Sequence, residues 1–334
     1  MTTQDEILTS APPAHDADTV AGWVARHWGL RGRLDRLTSE RDLNHRLRCE
    51  DGRSLVVKLA NRAEPPAVTN FQTEALLHIA RTAPDLPVPR VVPALDGRVE
   101  IALPGGEVMR LLSWVEGEPM HSARPSAALR QAVGRTAARL TRALEGFEHP
   151  AAGHELLWDI KNAARLRPML AAIADPALRA EATRRLDHFD ATLAPALPAL
   201  PWQVVHADLN PHNLMTGPGG QTITGILDFG DMVRTPRICD LAVAASYRTD
   251  PAAPLQSLSD VIGAWHGVLP LTGAEAEVVL DLVAIRMVTT LALASWRAAR
   301  YPDNAAYILR NLPASGAGLM ALVAHGTGRK WSPT

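Results

Sequence analysis

Two polar motifs stand close together at residues 204–231 and restrict how the middle of the chain can fold. An apolar run enters His206-Ala207-Asp208, and Asn213 follows five residues after the aspartate. A second apolar run ends in Asp228-Phe229-Gly230, and the segment between the runs, residues 216–221, is rich in glycine and proline. That composition predicts a turn, so the two runs are predicted to be the arms of a hairpin. The hairpin would bring Asp228 close to Asp208 and Asn213.

Two carboxylates and one amide oxygen in a small volume are suited to a magnesium ion. Mg²⁺ usually takes one or two carboxylates from a protein and completes its shell with water and phosphate oxygens. Asp208, Asn213 and Asp228 therefore indicate phosphoryl transfer, in which catalysis consists mainly of positioning and charge neutralisation. His206 and His212 with Asp208 could also suggest zinc. A loop of this type more often uses such a histidine to bind its own backbone, and we expect this of His206.

Lysine is rare in this chain, and one lysine occupies an unusual position. Of the 34 lysines and arginines, only three are lysines: Lys58, Lys161 and Lys330. Lys58 lies inside the apolar run 54–60, whereas arginine is the usual cation elsewhere. A compact ammonium there would suit a phosphate, or the lysine could be an ordinary strand residue with a buried stem. Its position alone leaves both interpretations open.

The residues around Lys58 predict a small antiparallel sheet followed by a helix. Three strand-like runs are at about 33–38, 43–49 and 54–60, and the polar loop 38–44 either covers phosphates or is a simple hairpin loop without glycine. Helical spacing of apolar residues predicts a helix from Pro65 to Arg81. Glu74 lies at the edge of its apolar face, where it could pair with Lys58 or face solvent.

A composition break at residues 116–119 separates a strand-rich part of the chain from a helix-rich part. The predicted fold class is therefore α+β with two lobes. Residues 1–115 form an antiparallel sheet with a helix, and residues 116–334 form a mainly helical lobe. The apolar stretch 278–296 contains Asp281 and Arg286, so it predicts a buried helix rather than a membrane span.

Composition narrows the range of partners. With a formal net charge of -1, the chain lacks the excess of basic residues that is typical of nucleic-acid-binding proteins, and the sequence predicts neither a nucleic acid nor a membrane as a partner. Cys49 and Cys239 lack the spacing of a metal site or a disulfide framework, which favours a reducing cytoplasm. The N-terminus is polar and acidic, unlike a secretory leader. The oligomeric state is left open by the sequence.

The motifs occur in an order that resembles the aminoglycoside phosphotransferase–choline kinase superfamily, which is related to the protein kinases. The resemblance extends from about Thr19 to Arg300. It rests on five features: Lys58, Glu74, the segment 111–117, His206–Asn213 and Asp228–Asp231. A closer likeness, to hydroxylysine kinase-like phosphotransferases, rests on four segments: residues 40–45 (which begin at Glu40), 86–93, 157–159 and 225–232.

This resemblance implies a two-lobed protein-kinase-like fold and a role for each motif. Asp208 would orient and deprotonate the attacking hydroxyl, while Asn213 and Asp228 would hold Mg²⁺ across the phosphates of ATP or GTP. Glu74 would hold Lys58 against the phosphates. The remaining nucleotide-binding residues implied are Ser39, Arg41 and Asn44 of the covering loop, with the backbone of Leu112, Ser113 and Trp114 at the purine edge.

The acceptor implied by the resemblance is a small hydroxyl compound, a hydroxy amino acid or an amino alcohol. The candidate acceptor-side residues are Trp158, Asp159, which could meet an amine, Arg286 and Asp231, which could equally cap its own loop. Asp240 is predicted to be structural, bonding backbone behind the catalytic loop.

Two other functions are compatible with the sequence: an aminoglycoside-type antibiotic kinase and a catalytically dead nucleotide-binding scaffold. Aminoglycosides are polycations, and their sites tend to be acidic. The C-terminal helices carry Arg286, Arg297 and Arg300, which favour a carboxylate-bearing acceptor. The lysine and both aspartates that a dead scaffold usually loses are present.

Overall fold

The computed structural model describes residues 10–39 and 41–333, so Glu40 and its part of the 40–45 likeness lie outside the described residues. The chain divides into two compact units. The first unit contains Met1–Glu116, His149–Glu155 and Gly225–Gly230. The second unit contains Gly117–Glu148, Leu156–Thr224 and Asp231–Thr334.

A five-stranded antiparallel sheet forms the first unit, in the order β1-β2-β3-β5-β4. Its strands are β1 (Gly32–Leu37), β2 (Leu43–Cys49), β3 (Ser54–Leu59), β4 (Ile101–Ala102) and β5 (Val108–Ser113). The three predicted strands are confirmed as β1, β2 and β3. Asn44 of β2 is directly opposite Lys58 of β3, and Lys58 is directly opposite Arg110 of β5. Directly opposed residues project from the same face of a sheet, so these three side chains form one row.

Two helices complete the first unit, α1 (Ala17–Trp28) and α2 (Pro66–Thr82). The carboxylate of Asp16 caps α1 by accepting the N–H of Thr19 at 2.7 Å, and Gly29 ends the helix with a φ of 67°. That left-handed conformation favours glycine, because a Cβ would crowd the following carbonyl. The predicted helix from Pro65 to Arg81 is confirmed as α2. The buried face of α1 packs into the core formed by the sheet.

Helices dominate the second unit. They are α3 (Ala127–Ala143), α4 (Pro176–His188), α5 (Ile238–Ser246), α6 (Pro254–His266), α7 (Gly273–Arg300) and α8 (Leu312–His325). Shorter helical segments are Met120–Ser122, Ile160–Ala172, Phe189–Leu193, Ala194–Ala196, Leu197–Ala199, Pro302–Asn304 and Ala305–Ile308.

The long helix α7 is the core helix of this unit. It begins with a capping box, in which Thr272 and Glu275 each accept the other's backbone N–H. By length and composition α7 could cross a membrane, but 89% of its most apolar window is buried within the protein. The predicted buried helix is therefore confirmed.

The strand pairing around the central motifs differs from the predicted hairpin. Strand β7 (Trp202–Val205) pairs with β10 (Val233–Pro236), whereas β8 (Leu214–Thr216) lies between β6 (Glu118–Pro119) and β9 (Ile223–Ile226). The turn explains the difference, because the Gly217 N–H donates to the Thr222 carbonyl at 3.1 Å and closes directly on β8. The prediction that the run before His206 forms one arm was wrong, since β8 forms that arm.

Candidate active site

The loop that begins at His206 contains a strained residue, Ala207, whose backbone is held by a buried aspartate. Ala207 has a φ of 63°, a left-handed conformation that costs roughly 1–2 kcal/mol for a residue with a Cβ. Its N–H donates to Asp240 Oδ1 at 2.9 Å, and the Thr141 hydroxyl donates to Asp240 Oδ2 at 2.9 Å. Burial raises the pKa of Asp240, and the neighbouring His206 and Ala207 N–H oppose that rise. The predicted structural role of Asp240 is confirmed.

His206 also holds the loop. Its Nδ1 accepts the N–H of Asp208 at 3.2 Å, and the side chain is fully buried. The prediction that this histidine binds its own backbone is therefore confirmed. Beneath the loop, a small apolar core contains Leu156, Val205, Ala207 and Val233.

Three side chains converge on the carboxylate of Asp208. Asp208 Oδ2 accepts the side-chain N–H groups of Asn213 at 2.7 Å and Asn210 at 2.9 Å. Asp208 Oδ1 lies 3.3 Å from Nη2 of Arg286, and the Asp208 side chain is 19% exposed. These donors fix the orientation of a carboxylate anion that remains accessible. The nitrogen of Asn213 is committed to Asp208, so its Oδ1 is the atom suited to a cation such as Mg²⁺.

Arg286 is a buried partner of Asp208 and not an exposed acceptor-binding group. Its side chain is only 1% exposed. Nη1 donates to the Trp158 carbonyl at 2.8 Å, and Nη2 donates to the Tyr247 hydroxyl at 3.2 Å. Burial disfavours the charge, but Tyr247 and Asp208 outweigh it and raise the pKa of Arg286. The prediction of direct acceptor contact is corrected here, because the protein itself surrounds the guanidinium.

The other predicted acceptor-side residues have different environments. Asp159 is 2% exposed, ion-pairs with Lys161 at 2.7 Å and accepts the Thr235 hydroxyl at 3.0 Å. Its predicted contact with a substrate amine is therefore wrong, since a buried carboxylate already has its cation. Trp158 and Asp231 are partly buried, and the charge of Asp231 is one of those that raise the pKa of Arg286.

The two C-terminal arginines beyond Arg286 do not form an anion site. Arg297 is 7% exposed, and Arg300 places its guanidinium 3.7 Å from the ring of Trp296. These three arginines therefore no longer support the prediction of a carboxylate-bearing acceptor.

In the first unit, Lys58 is paired with an aspartate that was not predicted. Its Nζ lies 3.6 Å from Asp42 Oδ2, and both side chains are mostly buried. No ion pair joins Lys58 to Glu74 in the described part of the chain. The predicted Lys58–Glu74 pair is therefore corrected to Lys58–Asp42. Beside Lys58 in the row, Asn44 has a buried Oδ1 without a hydrogen-bond partner.

A different cation ties α2 to the sheet. Arg110 is 2% exposed and donates to the side chains of Gln72 at 2.9 Å and Thr73 at 3.3 Å, and to the Thr69 carbonyl at 3.2 Å. All three acceptors belong to α2. Arg110, which lies in the same row as Lys58, therefore takes the contacts with α2. Lys58 instead contacts Asp42 in the loop between β1 and β2.

The predicted covering loop and the Asp-Phe-Gly motif meet within the first unit. The Ser39 hydroxyl accepts the Asp42 N–H at 3.2 Å, which turns the loop. A Cβ on Gly230 would lie 3.1 Å from Asp228 Oδ1 and 3.3 Å from Arg41 Nη2. A side chain at position 230 would therefore crowd both groups, and the glycine lets the Arg41 guanidinium approach the Asp228 segment. Asp228 itself is exposed and has a φ of 55°. Its predicted approach to Asp208 and Asn213 stays a prediction.

The backbone predicted to receive the purine edge is largely used within the sheet. Leu112 is buried and bridges Val91, the Ser113 N–H donates to the Arg90 carbonyl at 2.8 Å, and the Trp114 N–H donates to Ser54 at 3.2 Å. The Trp114 ring lies 4.0 Å from the Arg46 guanidinium. Within residues 41–333, the next amide along, that of Val115, donates to no backbone carbonyl. The purine-edge contact predicted for the backbone of Leu112, Ser113 and Trp114 stays a prediction.

Three residues of this geometry were not predicted: Asp42, Asn210 and Tyr247. Asp42 and Asn210 lie inside the motifs already singled out, so their polarity and position were available signals. Tyr247 follows α5, far from any motif, and no sequence pattern distinguishes it.

The family model for the phosphotransferase enzyme family matches residues 37–274, which is more than half of the chain. The chain belongs to the phosphotransferase enzyme family. The predicted superfamily and the prediction of a phosphotransferase are confirmed at this level.

Curated relatives of this phosphotransferase include hydroxylysine kinases. The zebrafish (Danio rerio) protein is 27% identical over 304 residues, covering 86% of this chain and 85% of the relative. The mouse (Mus musculus) protein is 27% identical over 214 residues, covering 60% of this chain and 57% of the relative. The predicted likeness to hydroxylysine kinases is confirmed.

Solved structures show the fold. A microcompartment-associated aminopropanol kinase has a TM-score of 0.70 at 21% identity, covering 93% of this chain and 99% of its own. An amicoumacin kinase in complex with AMP-PNP and Ca²⁺ has a TM-score of 0.66 at 15% identity, covering 89% and 93%. The predicted α+β, kinase-like fold class is confirmed.

Proposed function

We propose that this phosphotransferase transfers the γ-phosphoryl group of ATP or GTP to a hydroxyl of a hydroxy amino acid or amino alcohol, as a hydroxylysine-like kinase. The carboxylate of Asp208, oriented by Asn210, Asn213 and Arg286 and still accessible, is the observation that carries the proposal. The hydroxylysine kinase relatives support the acceptor class. The nucleotide complex of a structural neighbour supports a nucleoside triphosphate as the donor.

In the proposed reaction, Asp208 aligns the acceptor hydroxyl and takes its proton as the oxygen attacks the γ-phosphorus. The bond from that phosphorus to the β–γ bridging oxygen breaks, and the nucleoside diphosphate leaves with the bridging oxygen. Arg286 keeps Asp208 in position and charged, and it does not contact the acceptor. The amide oxygen of Asn213 and the carboxylate of Asp228 are hard oxygen ligands that would hold Mg²⁺. That ion would neutralise the negative charge of the phosphates.

On the nucleotide side, Lys58 would contact phosphate oxygens and exchange its weak contact with Asp42 for them. The loop containing Ser39, Arg41 and Asn44 would cover the phosphates, with Arg41 supplying a second cation. The free amide of Val115 would donate to the purine edge. Glu74 forms no ion pair within the described part of the chain, and it has no part in the proposed reaction.

A cytoplasmic location belongs to the same proposal. It is supported by Cys49 and Cys239, which are free thiols in buried positions. A reducing compartment keeps such cysteines unpaired. Mass measurement of protein alkylated in cell lysate would find both thiols reduced.

The proposed function is tested by release of nucleoside diphosphate in a coupled assay. Hydroxy amino acids, amino alcohols and aminoglycosides are each tested with ATP and with GTP, with and without Mg²⁺. Asp208→Asn should lower turnover by roughly 10³-fold or more, since an amide cannot take the proton of the acceptor hydroxyl. Asp303→Asn, at an exposed position, is the matched control.

Each outcome separates the candidate functions. Turnover with aminoglycosides alone would establish the antibiotic kinase instead. Nucleotide-induced thermal stabilisation without turnover on any acceptor, unchanged in Asp208→Asn, would establish a nucleotide-binding scaffold. Mg²⁺-dependent turnover with hydroxy amino acids or amino alcohols supports the proposed kinase.

A further inference from the structure

A cavity of about 520 Å³ adjoins the catalytic loop within the second unit. Pro211 and His212 of the loop form one wall, and residues 247–251, which follow α5, form another. The remaining walls come from residues 120–130 and from Arg310 and Asn311. A cavity of this volume is within the range that holds small-molecule ligands.

The charged residues that line this cavity are mostly cations. They are Arg130, Arg248 and Arg310, against a single carboxylate, Asp250. Arg130 is neutralised by Asp260 at 2.8 Å. Arg310 donates to the Tyr307 carbonyl at 2.8 Å, and the described residues give it no carboxylate partner. The cavity therefore has an excess of positive charge.

Arg248 is the least satisfied of these arginines. Its Nε is closed off from solvent and has no hydrogen-bond partner, and no ion pair to it occurs among residues 10–39 and 41–333. Burial lowers the pKa of Arg248 to about 10, with Arg130 adding to the fall and Tyr247 opposing it. A buried donor without an acceptor costs roughly 1–3 kcal/mol, more when charged, so it requires an explanation.

A chain of contacts joins the cavity to the catalytic carboxylate. Tyr247 lines the cavity, and its hydroxyl accepts a hydrogen bond from Arg286 Nη2 at 3.2 Å. The same Nη2 lies 3.3 Å from Asp208 Oδ1. The Tyr247 wall of the cavity is therefore separated from Asp208 by one buried guanidinium, and the residues of its other wall, Pro211 and His212, follow Asp208 within four residues. This proximity makes the cavity the candidate position for the rest of an acceptor.

We propose that the cavity receives the carboxylate of the acceptor and that Arg248 is its counter-ion. The inference rests on the proposed function and narrows its acceptor to hydroxy acids, foremost hydroxy amino acids. The planar fork of arginine matches a carboxylate with two parallel hydrogen bonds. Asp250, two residues further on, offers an acceptor for an adjacent ammonium. The arginine excess disfavours a polycation, because like charges repel across a desolvated wall.

The test compares matched acceptors, each hydroxy amino acid with the amino alcohol that lacks its carboxylate. In the wild-type enzyme, kcat/KM should favour the carboxylate-bearing acceptor by roughly 10- to 100-fold, the value of one or two charged hydrogen bonds. In Arg248→Gln this ratio should fall towards one through a rise in KM. Arg248→Lys, which keeps the charge but not the fork, should retain part of it. Arg329→Gln, at an exposed position, should keep the wild-type ratio.

Failure of this inference is distinguishable from failure of the proposed function. Equal kcat/KM for both acceptors in wild-type enzyme and in Arg248→Gln would overturn the carboxylate site and leave the kinase intact. Absence of turnover on every acceptor would overturn the proposed function. In that case, calorimetric titration with the same hydroxy amino acids decides the site, because binding must weaken at least about tenfold in Arg248→Gln. Unchanged binding, absent binding, or equal binding of inorganic phosphate and the amino acid would overturn it.

Discussion

Removing the carboxylate of Asp240 should destabilise the protein and displace its catalytic base. In Asp240→Ala, the buried N–H of Ala207 loses the acceptor that lies 2.9 Å away, and the Thr141 hydroxyl loses its own. An orphaned buried donor costs about 1–3 kcal/mol, and we expect a total loss of roughly 3 kcal/mol in the free energy of unfolding. Relief of the desolvation that raises the pKa of Asp240 offsets part of this loss.

The catalytic effect of the same variant comes from the strained backbone. Without its anchor, Ala207 is expected to leave the left-handed region, and Asp208 moves with it. A shift of about 1 Å at a catalytic group costs on the order of 10²-fold in rate, so kcat should fall by about that factor. Glycine tolerates a φ of 63° without strain, so Ala207→Gly relieves strain in the wild type but not in Asp240→Ala, where the residue has already left that region. The double variant should therefore be about 1 kcal/mol less stable than additivity predicts, while the glycine recovers part of the kcat.

The double-mutant cycle requires two measurements on four proteins. Urea unfolding gives the free energies, and the coupled diphosphate assay gives kcat. Asp303→Ala, an exposed aspartate, should stay within about 0.5 kcal/mol of the wild type. If the two substitutions are strictly additive in both measurements, Asp240 does not act through the conformation of Ala207, and the reasoning fails.

Three further predictions concern the site. Lys58→Met should raise KM for the nucleotide by roughly 100-fold through loss of a charged hydrogen bond, and an unchanged nucleotide KM would show that the lysine does not reach phosphate. Arg286→Met should lower kcat by about 10- to 100-fold with little change in the KM of the acceptor, whereas a rise confined to that KM would make Arg286 an acceptor ligand. Burial lowers the pKa of His212 to about 4 in the folded chain, below its unfolded value, so its contribution to stability is present above about pH 6.5 and is lost as the pH falls towards 4. His212 is partly exposed, so the loss should be only about 1 kcal/mol, and urea unfolding of His212→Asn should show a shallower decline over that range than the wild type.

Residue types within motifs were predicted well because their chemistry is local. His206 binding its own loop and Asp240 supporting the backbone both follow from short polar side chains seeking nearby backbone groups. The strands around Lys58 and the buried character of α7 follow from apolar periodicity, which burial imposes on any fold. These features depend little on which residues distant in the sequence come into contact.

Pairings between distant segments were predicted poorly because several partners are chemically equivalent. Lys58 could take either Glu74 or Asp42, and only the reach of Arg110 to α2 decides that the lysine stays with the loop. The run before His206 could join either strand that follows it, and the register of the glycine turn gives it to β10.

By itself, the sequence determined the family, the order of the motifs and the carboxylate proposed as the catalytic base, because those depend on residue type and spacing. Only the tertiary structure decided what each charge faces. It buried Arg286 against Asp208 and Asp159 against Lys161. It left Arg248, unremarkable in the sequence, with an unbonded Nε and no ion pair to any described residue, at the wall of a cavity. Whether a charge is paired or available depends on burial and on neighbours that can be distant in the sequence, and a linear sequence specifies neither.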